Sequence, residues 1–113
     1  MTIICLEEDK QSLSKRFRKT DYFVFLEGDN SLIKQNPHKL SKSNEFFKYF
    51  ETLGVEKIYL KALGYKTFLR LEQMGVRVFF VPKAKVYSEI EASELVEIKA
   101  DNAESFCTLG HFR

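Results

Sequence analysis

The side chains in this 113-residue chain that could do ligand chemistry gather in three places. The first is "LSKRFRKTDYF", in which Lys15, Arg16, Arg18 and Lys19 flank Phe17. Four cations around one aromatic ring suit an anionic, planar or polyoxygen ligand, since arginine can fork onto a carboxylate or phosphate and lysine adds a point charge. The second is "LKALGYKTF", where Gly64 opens a helix; amides at a helix start attract anions, and glycine permits close approach. The third is the ending "SFCTLGHFR", which holds a thiol, Cys107, and an imidazole, His111. Thr108 and Gly110 argue against a continuous helix that would stack those two groups, so they read as part of a mobile arm able to swing over a ligand. Cys107 would have to ionise, which cations such as Arg113 or the basic loop would favour. A solvated loop, a turn glycine and a frayed terminus are the plain readings of the same residues.

Composition narrows the classes. With a net charge of +2, 44% hydrophobic residues, 11 phenylalanines and no tryptophan, the chain is too apolar for disorder and too balanced for a dedicated polyanion binder. It is long enough for one domain with a real core. Cys5, inside the apolar run "TIICL", reads as a buried inert thiol, and two cysteines imply no disulfide framework. The start of the chain lacks the features of a signal peptide and no apolar run approaches membrane-spanning length, so a cytoplasmic location without a membrane partner is expected.

Three extended runs, 2–6, 22–27 and 31–36, come first, with a Gly-Asp-Asn turn joining the last two as a hairpin. Phe46, Phe50 and Leu53 then recur at helical spacing over 40–53, and Gly54 closes that helix. "VEKIYL" is a strand, 64–75 a second amphipathic helix, "VRVFFV" a strand ended by Pro82, and 85–94 a weaker third helix. This order predicts an α/β domain over residues 1–100, with a five-stranded mixed sheet, helices on both faces and a flexible tail over 101–113. The simplest strand order sets the meander on one side of strand one and the parallel strands on the other. Ligands in such sheets bind beyond the carboxyl ends of strands at the switch point, where the loops after strands one and four meet.

Several segments together resemble the dinitrogenase iron-molybdenum cofactor biosynthesis family, the small domain of nitrogenase accessory proteins. They are "LSKRFRKTDYFVFLE", "QNP", "GVEKIYLKALGYKTFLRLEQMGVRVFF" and "CTLGH". The resemblance spans nearly the whole chain. It implies a three-layer α/β/α, ribonuclease-H-like fold and non-catalytic binding of an iron-sulfur or iron-molybdenum cluster, with a cluster-donor or acceptor protein as partner. The residues it points to are Arg16, Phe17, Arg18, Lys19, Gly64, Cys107 and His111, the last two as metal ligands. Many family members carry His-Phe-Gly where this chain has Arg16, Phe17 and Arg18, and arginine does not ligate metals.

Two function classes follow from these residues: a carrier for an anionic cluster, and a regulatory module that holds a small anion or a protein through the same basic loop. A nuclease would need carboxylates converging from several strands, yet only Glu7, Glu8 and Asp9 follow strand one. A closed zinc site takes about four ligands, and beyond the tail the chain offers only Cys5 and His38. Nucleic acid is an unexpected partner, because no repeated basic and aromatic platform accompanies "KRFRK".

Overall fold

The computed structural model describes residues 1–107. A six-stranded sheet in the order β3-β2-β1-β4-β5-β6 is built from β1 (Thr2–Leu6), β2 (Tyr22–Glu27), β3 (Asn30–Gln35), β4 (Lys57–Leu60), β5 (Arg77–Phe80) and β6 (Val96–Ile98). The meander β1-β2-β3 is antiparallel, β4 runs parallel to β1 and β5 to β4, and β6 closes the far edge antiparallel to β5. The three helices are α1 (Ser43–Thr52), α2 (Tyr65–Gln73) and α3 (Ala103–Phe106). None of the described helices is long and apolar enough to cross a membrane.

Local chemistry accounts for the elements that sequence periodicity predicts. β1 lies at the centre, and its Ile3, Ile4, Cys5 and Leu6 are all buried because both faces of the sheet are covered there. The β2-β3 hairpin pairs Glu27 with Asn30 and turns on Gly28 (φ +59°), the first of two loop positions, where a left-handed backbone matches the twist of the strands. Gly54, at φ +66°, follows the last turn of α1 and lets the chain leave for β4.

Four expectations are corrected. The sheet has six strands rather than five, because Val96–Ile98 adds to β5. The two faces are also covered differently. Phe46, Phe47 and Phe50 of α1, Phe68 and Leu71 of α2, and Ala103 of α3 all join Ile3, Cys5, Phe23, Ile58, Leu60 and Val78 in one core. The steps from β3 to β4 and from β4 to β5 join parallel strands and run the same way along the sheet, so two right-handed crossovers carry α1 and α2 to the same face. The opposite face buries Ile4, Leu6 and Val24 beneath Leu13, Val81 and Ala84, with Tyr87, Ile90 and Leu95 packed at the margin. No α-helix lies on that face among the described residues.

Residues 85–94, expected as a helix, instead form two 3-10 turns, Tyr87–Glu89 and Ala92–Glu94, separated by extended backbone at Ile90 and Glu91. Their main chain is engaged elsewhere: Leu13 donates to the Lys85 carbonyl (2.8 Å) and Tyr87 to that of Gln11 (3.0 Å). Those long-range bonds outcompete a weak helical pattern. The Glu94 carboxylate accepts the amides of Lys83 (3.1 Å) and Ala84 (3.0 Å), which holds it below its ordinary pKa.

The end of the chain also departs from expectation. Residues 103–107, read as part of a flexible tail, form α3 and its cap, bury Ala103 and Cys107, and set Phe106 against Phe80 at 5.3 Å.

The turn after β1 is fixed by Asp9. Its Oδ1 accepts the amides of Gln11 (2.9 Å) and Ser12 (2.8 Å), and its Oδ2 accepts the Ser12 hydroxyl. That hydroxyl, and then the amides, hold the Asp9 carboxyl below its usual range. A depressed carboxylate contributes stability that is present above its unfolded-state pKa and is lost as pH falls through the folded value. The stability difference between the parent and Asp9→Ala is therefore expected to be full near neutrality and to shrink below pH of about 4. Urea unfolding across pH checks this; a difference that stays constant in acid would leave the charge out of the account.

Candidate anion-binding site

The loops after β1 and β4 meet beyond the carboxyl ends of the two strands. They enclose an open cavity of about 650 Å³ lined by Lys15, Arg16, Phe17, Arg18 and Lys19 on one side and Ala62, Leu63, Gly64 and Thr67 on the other. The antiparallel β2 lies to one side of β1 and the parallel β4 to the other, which makes this the place where a ligand-sized crevice opens.

The basic loop owes its shape to three buried polar residues, Ser14, Thr20 and Asn36. At its start the Ser14 amide donates to the Cys5 carbonyl (2.9 Å), and the Ser14 hydroxyl accepts the Arg16 amide (3.0 Å). At its end the Thr20 hydroxyl donates to the Leu6 carbonyl (2.7 Å). Asn36, just after β3, donates from Nδ2 to the carbonyls of Arg18 and Thr20, both at 3.0 Å, while its Oδ1 accepts the His38 amide (3.0 Å). Only this orientation of the amide works, since the reverse would set its oxygen against two carbonyls. No buried side-chain nitrogen or oxygen lacks a partner among the described residues.

Phe17 turns inward. It is 4% exposed and meets the rings of Phe46 and Phe50 edge-on, each at 5.2 Å. The ring expected to face a ligand is therefore mainly an anchor that pins the basic loop to α1, reaching the cavity only at its floor. Lys15, Arg16 and Lys19 are exposed, and their side chains have no hydrogen bond or ion pair among the described residues. Arg18 is half-buried, and its Nη1 donates to the Ser41 carbonyl at 3.1 Å.

Gly64 stands at the N-cap of α2 with extended backbone (φ −72°, ψ 146°), so it does not adopt a left-handed turn. No side chain caps this helix, and its first turn holds no acidic residue. The amides there are free of the competitor that an aspartate or serine N-cap would supply.

The structure does not bring Cys107 to this cavity. Cys107 caps α3 inside the core, and burial pushes its thiol pKa up, the reverse of the ionised thiolate expected of a mobile arm. His111, Gly110 and Arg113 lie outside the described residues. Cys5 is fully buried in the same core, where burial also raises its thiol pKa. Among the described residues no group of three or more His, Cys, Asp and Glu side chains could hold a metal ion.

Sequence reasoning missed Ser14, Thr20, Asn36 and Thr67. The signals for the first three were present but small: short polar residues bracket the run of cations, and an Asn-Pro step follows a strand.

The fold and this crevice define a small α/β domain with a basic cavity at the carboxyl edge of a mixed sheet. No family model matches the chain, and no curated protein matches it. Its fold is similar to the crystal structure of PH0822, with a TM-score of 0.66 at 18% identity over 88% of this chain and 95% of that one. It is also similar to the NMR structure of a candidate NifB protein from Thermotoga, TM1290, of the DUF35 family, with a TM-score of 0.59 at 21% identity over 92% and 85%. At such identities the likeness is one of fold.

Proposed function

We propose that this domain is a non-catalytic binding module that holds a compact anionic ligand in the cavity between the Lys15–Lys19 loop and the start of α2. The observation that carries this reading is the convergence of four cations and an uncapped helix start on one crevice. Both features favour negative charge. An iron-sulfur or iron-molybdenum cluster is the cargo favoured by the family resemblance and by the fold of the candidate NifB protein. Such clusters are anionic, and a carrier that must release its cargo to an acceptor protein benefits from few ligands.

A specific observation favours the second reading, a regulatory module for a small anion or a protein without a cluster. Cys107 is packed in the core, and no set of metal-ligating side chains comes together among the described residues. For Cys107 to ligate a cluster, α3 would have to leave the sheet.

Anaerobic reconstitution with iron and sulfide, followed by metal analysis and visible absorption, separates the two. Under the cluster reading the protein becomes brown, and Cys107→Ala combined with His111→Ala lowers iron retention several-fold without unfolding the domain. Iron retained equally by the double variant removes the tail from the site. A parent protein that stays colourless leaves the anion module as the function.

A further inference from the structure

The four cations of the basic loop are not equivalent. Lys15, Arg16 and Lys19 are exposed, line the cavity and have no polar partner for their side chains among the described residues. Arg18 lines the same cavity but is bound into the protein at both ends. Its carbonyl accepts Nδ2 of Asn36 at 3.0 Å, and its guanidinium donates to the carbonyl of Ser41 at 3.1 Å. Ser41 belongs to the turn before α1, which is itself braced. The Asn36 side chain accepts the His38 amide, the His38 ring meets the Ser41 hydroxyl at 2.9 Å and lies against Tyr49 of α1 at 4.9 Å, and Lys39 pairs with Asp21. Arg18 thus ties the basic loop to this turn through its own side chain, alongside Asn36.

We propose that the cavity divides its cations by role: Lys15, Arg16 and Lys19 meet a compact anion of two or more negative charges, whereas Arg18 is a positioning residue that holds their loop against the turn before α1. The proposal rests on the anion-binding reading and deepens it. Three exposed side chains on one loop can converge on a multiply charged anion, because lysine and arginine stems are long enough to close over it. Converging them requires a loop that does not drift, and the bond from Arg18 to Ser41 supplies that restraint.

Salt dependence distinguishes a charge that touches the ligand from one that shapes the loop. A direct contact is screened by salt, so deleting it flattens the fall of affinity with ionic strength most; deleting a positioning charge that lines the cavity without touching the ligand weakens binding with a smaller change of slope. The experiment titrates inorganic pyrophosphate into the parent, Arg16→Ala, Arg18→Ala and Arg18→Gln at several salt concentrations, with amide NMR reporting both affinity and fold. Arg16→Ala is expected to weaken binding about tenfold and to flatten the salt slope. Arg18→Ala is expected to weaken binding with a smaller change of slope than Arg16→Ala and to shift the amides of residues 38–42 before ligand is added. Arg18→Gln, neutral but still a donor, is expected to share that smaller change of slope while keeping more of the parent's affinity.

If the Arg18 variants flatten the slope as much as Arg16→Ala, Arg18 is a direct contact and the division of roles is wrong. If Arg16→Ala leaves the slope unchanged, Arg16 does not touch the anion and the assignment of direct contacts falls. A folded parent that binds no pyrophosphate at any salt concentration overturns the anion-binding reading itself, an outcome separate from either of these.

Discussion

Phe17→Ala is expected to lower the unfolding free energy by about 3–5 kcal/mol, the cost of emptying a fully packed aromatic site. Phe17 is 4% exposed, and its ring touches Phe46 and Phe50 edge-on at 5.2 Å and Phe47 at 6.3 Å. Its removal deletes aromatic contacts as well as buried area. For a domain of this size the loss corresponds to a fall in melting temperature of roughly 10–20 °C. Phe17→Leu, which refills most of the space, should cost markedly less. The functional consequence follows from the position of Phe17 in the chain. It sits in the middle of the cation run, so freeing it releases Lys15, Arg16 and Lys19 from their places around the cavity. Anion affinity should therefore fall in Phe17→Ala even at temperatures where the protein remains folded. Urea unfolding checks the first effect and ligand titration the second; a stability loss below about 1 kcal/mol would mean that Phe17 is not the anchor.

Asn36→Ala is expected to cost about 2–4 kcal/mol, because it strips partners from three main-chain groups at once. The carbonyls of Arg18 and Thr20 lose their donor and the His38 amide loses its acceptor, in a site where Asn36 is only 4% exposed. Asn36→Asp is the sharper test. A carboxylate would keep the bond to His38 but set its second oxygen against two carbonyls, with no proton to offer either. The ionised form is then disfavoured in the folded state and the pKa of the new carboxyl is raised. As pH falls through that raised value the side chain becomes a donor again, so part of the lost stability should return in mild acid. Equal instability of Asn36→Asp at pH 7 and pH 5 would argue that the two carbonyl contacts contribute little.

The meeting of the basic loop with the helix start at Gly64 was recognisable from the strand order and from the rule that ligands gather beyond the carboxyl ends of strands at a switch point. Their placement around one crevice agrees with the strand order read from the sequence. The division of labour within the loop was not recognisable. Lys15, Arg16, Arg18 and Lys19 differ little as sequence, and only the Ser41 carbonyl, 23 residues away from Arg18, sets that side chain apart. Phe17 in the midst of cations looked like a ligand-facing ring; its burial depends on Phe46 and Phe50 arriving from α1.

Local patterning by itself determined β1 to β5, α1 and α2, together with the hairpin at Gly28 and the helix end at Gly54, since hydrophobic period and backbone freedom act within a few residues. Tertiary contacts decided the rest. The second face of the sheet is covered by Leu13, Val81 and Ala84 from irregular segments rather than by a helix, because the main chain at 85–87 bonds to the loop after β1. The sixth strand exists because β5 leaves an unpaired edge for Val96–Ile98. Cys107 lies in the core rather than over the cavity because α3 buries Ala103, and the core on that side of the sheet has room for one more short helix. In each case the deciding partner is a segment distant in the chain or an open sheet edge, whose energy appears only once the sheet has formed, so no reading of neighbouring residues could have supplied it.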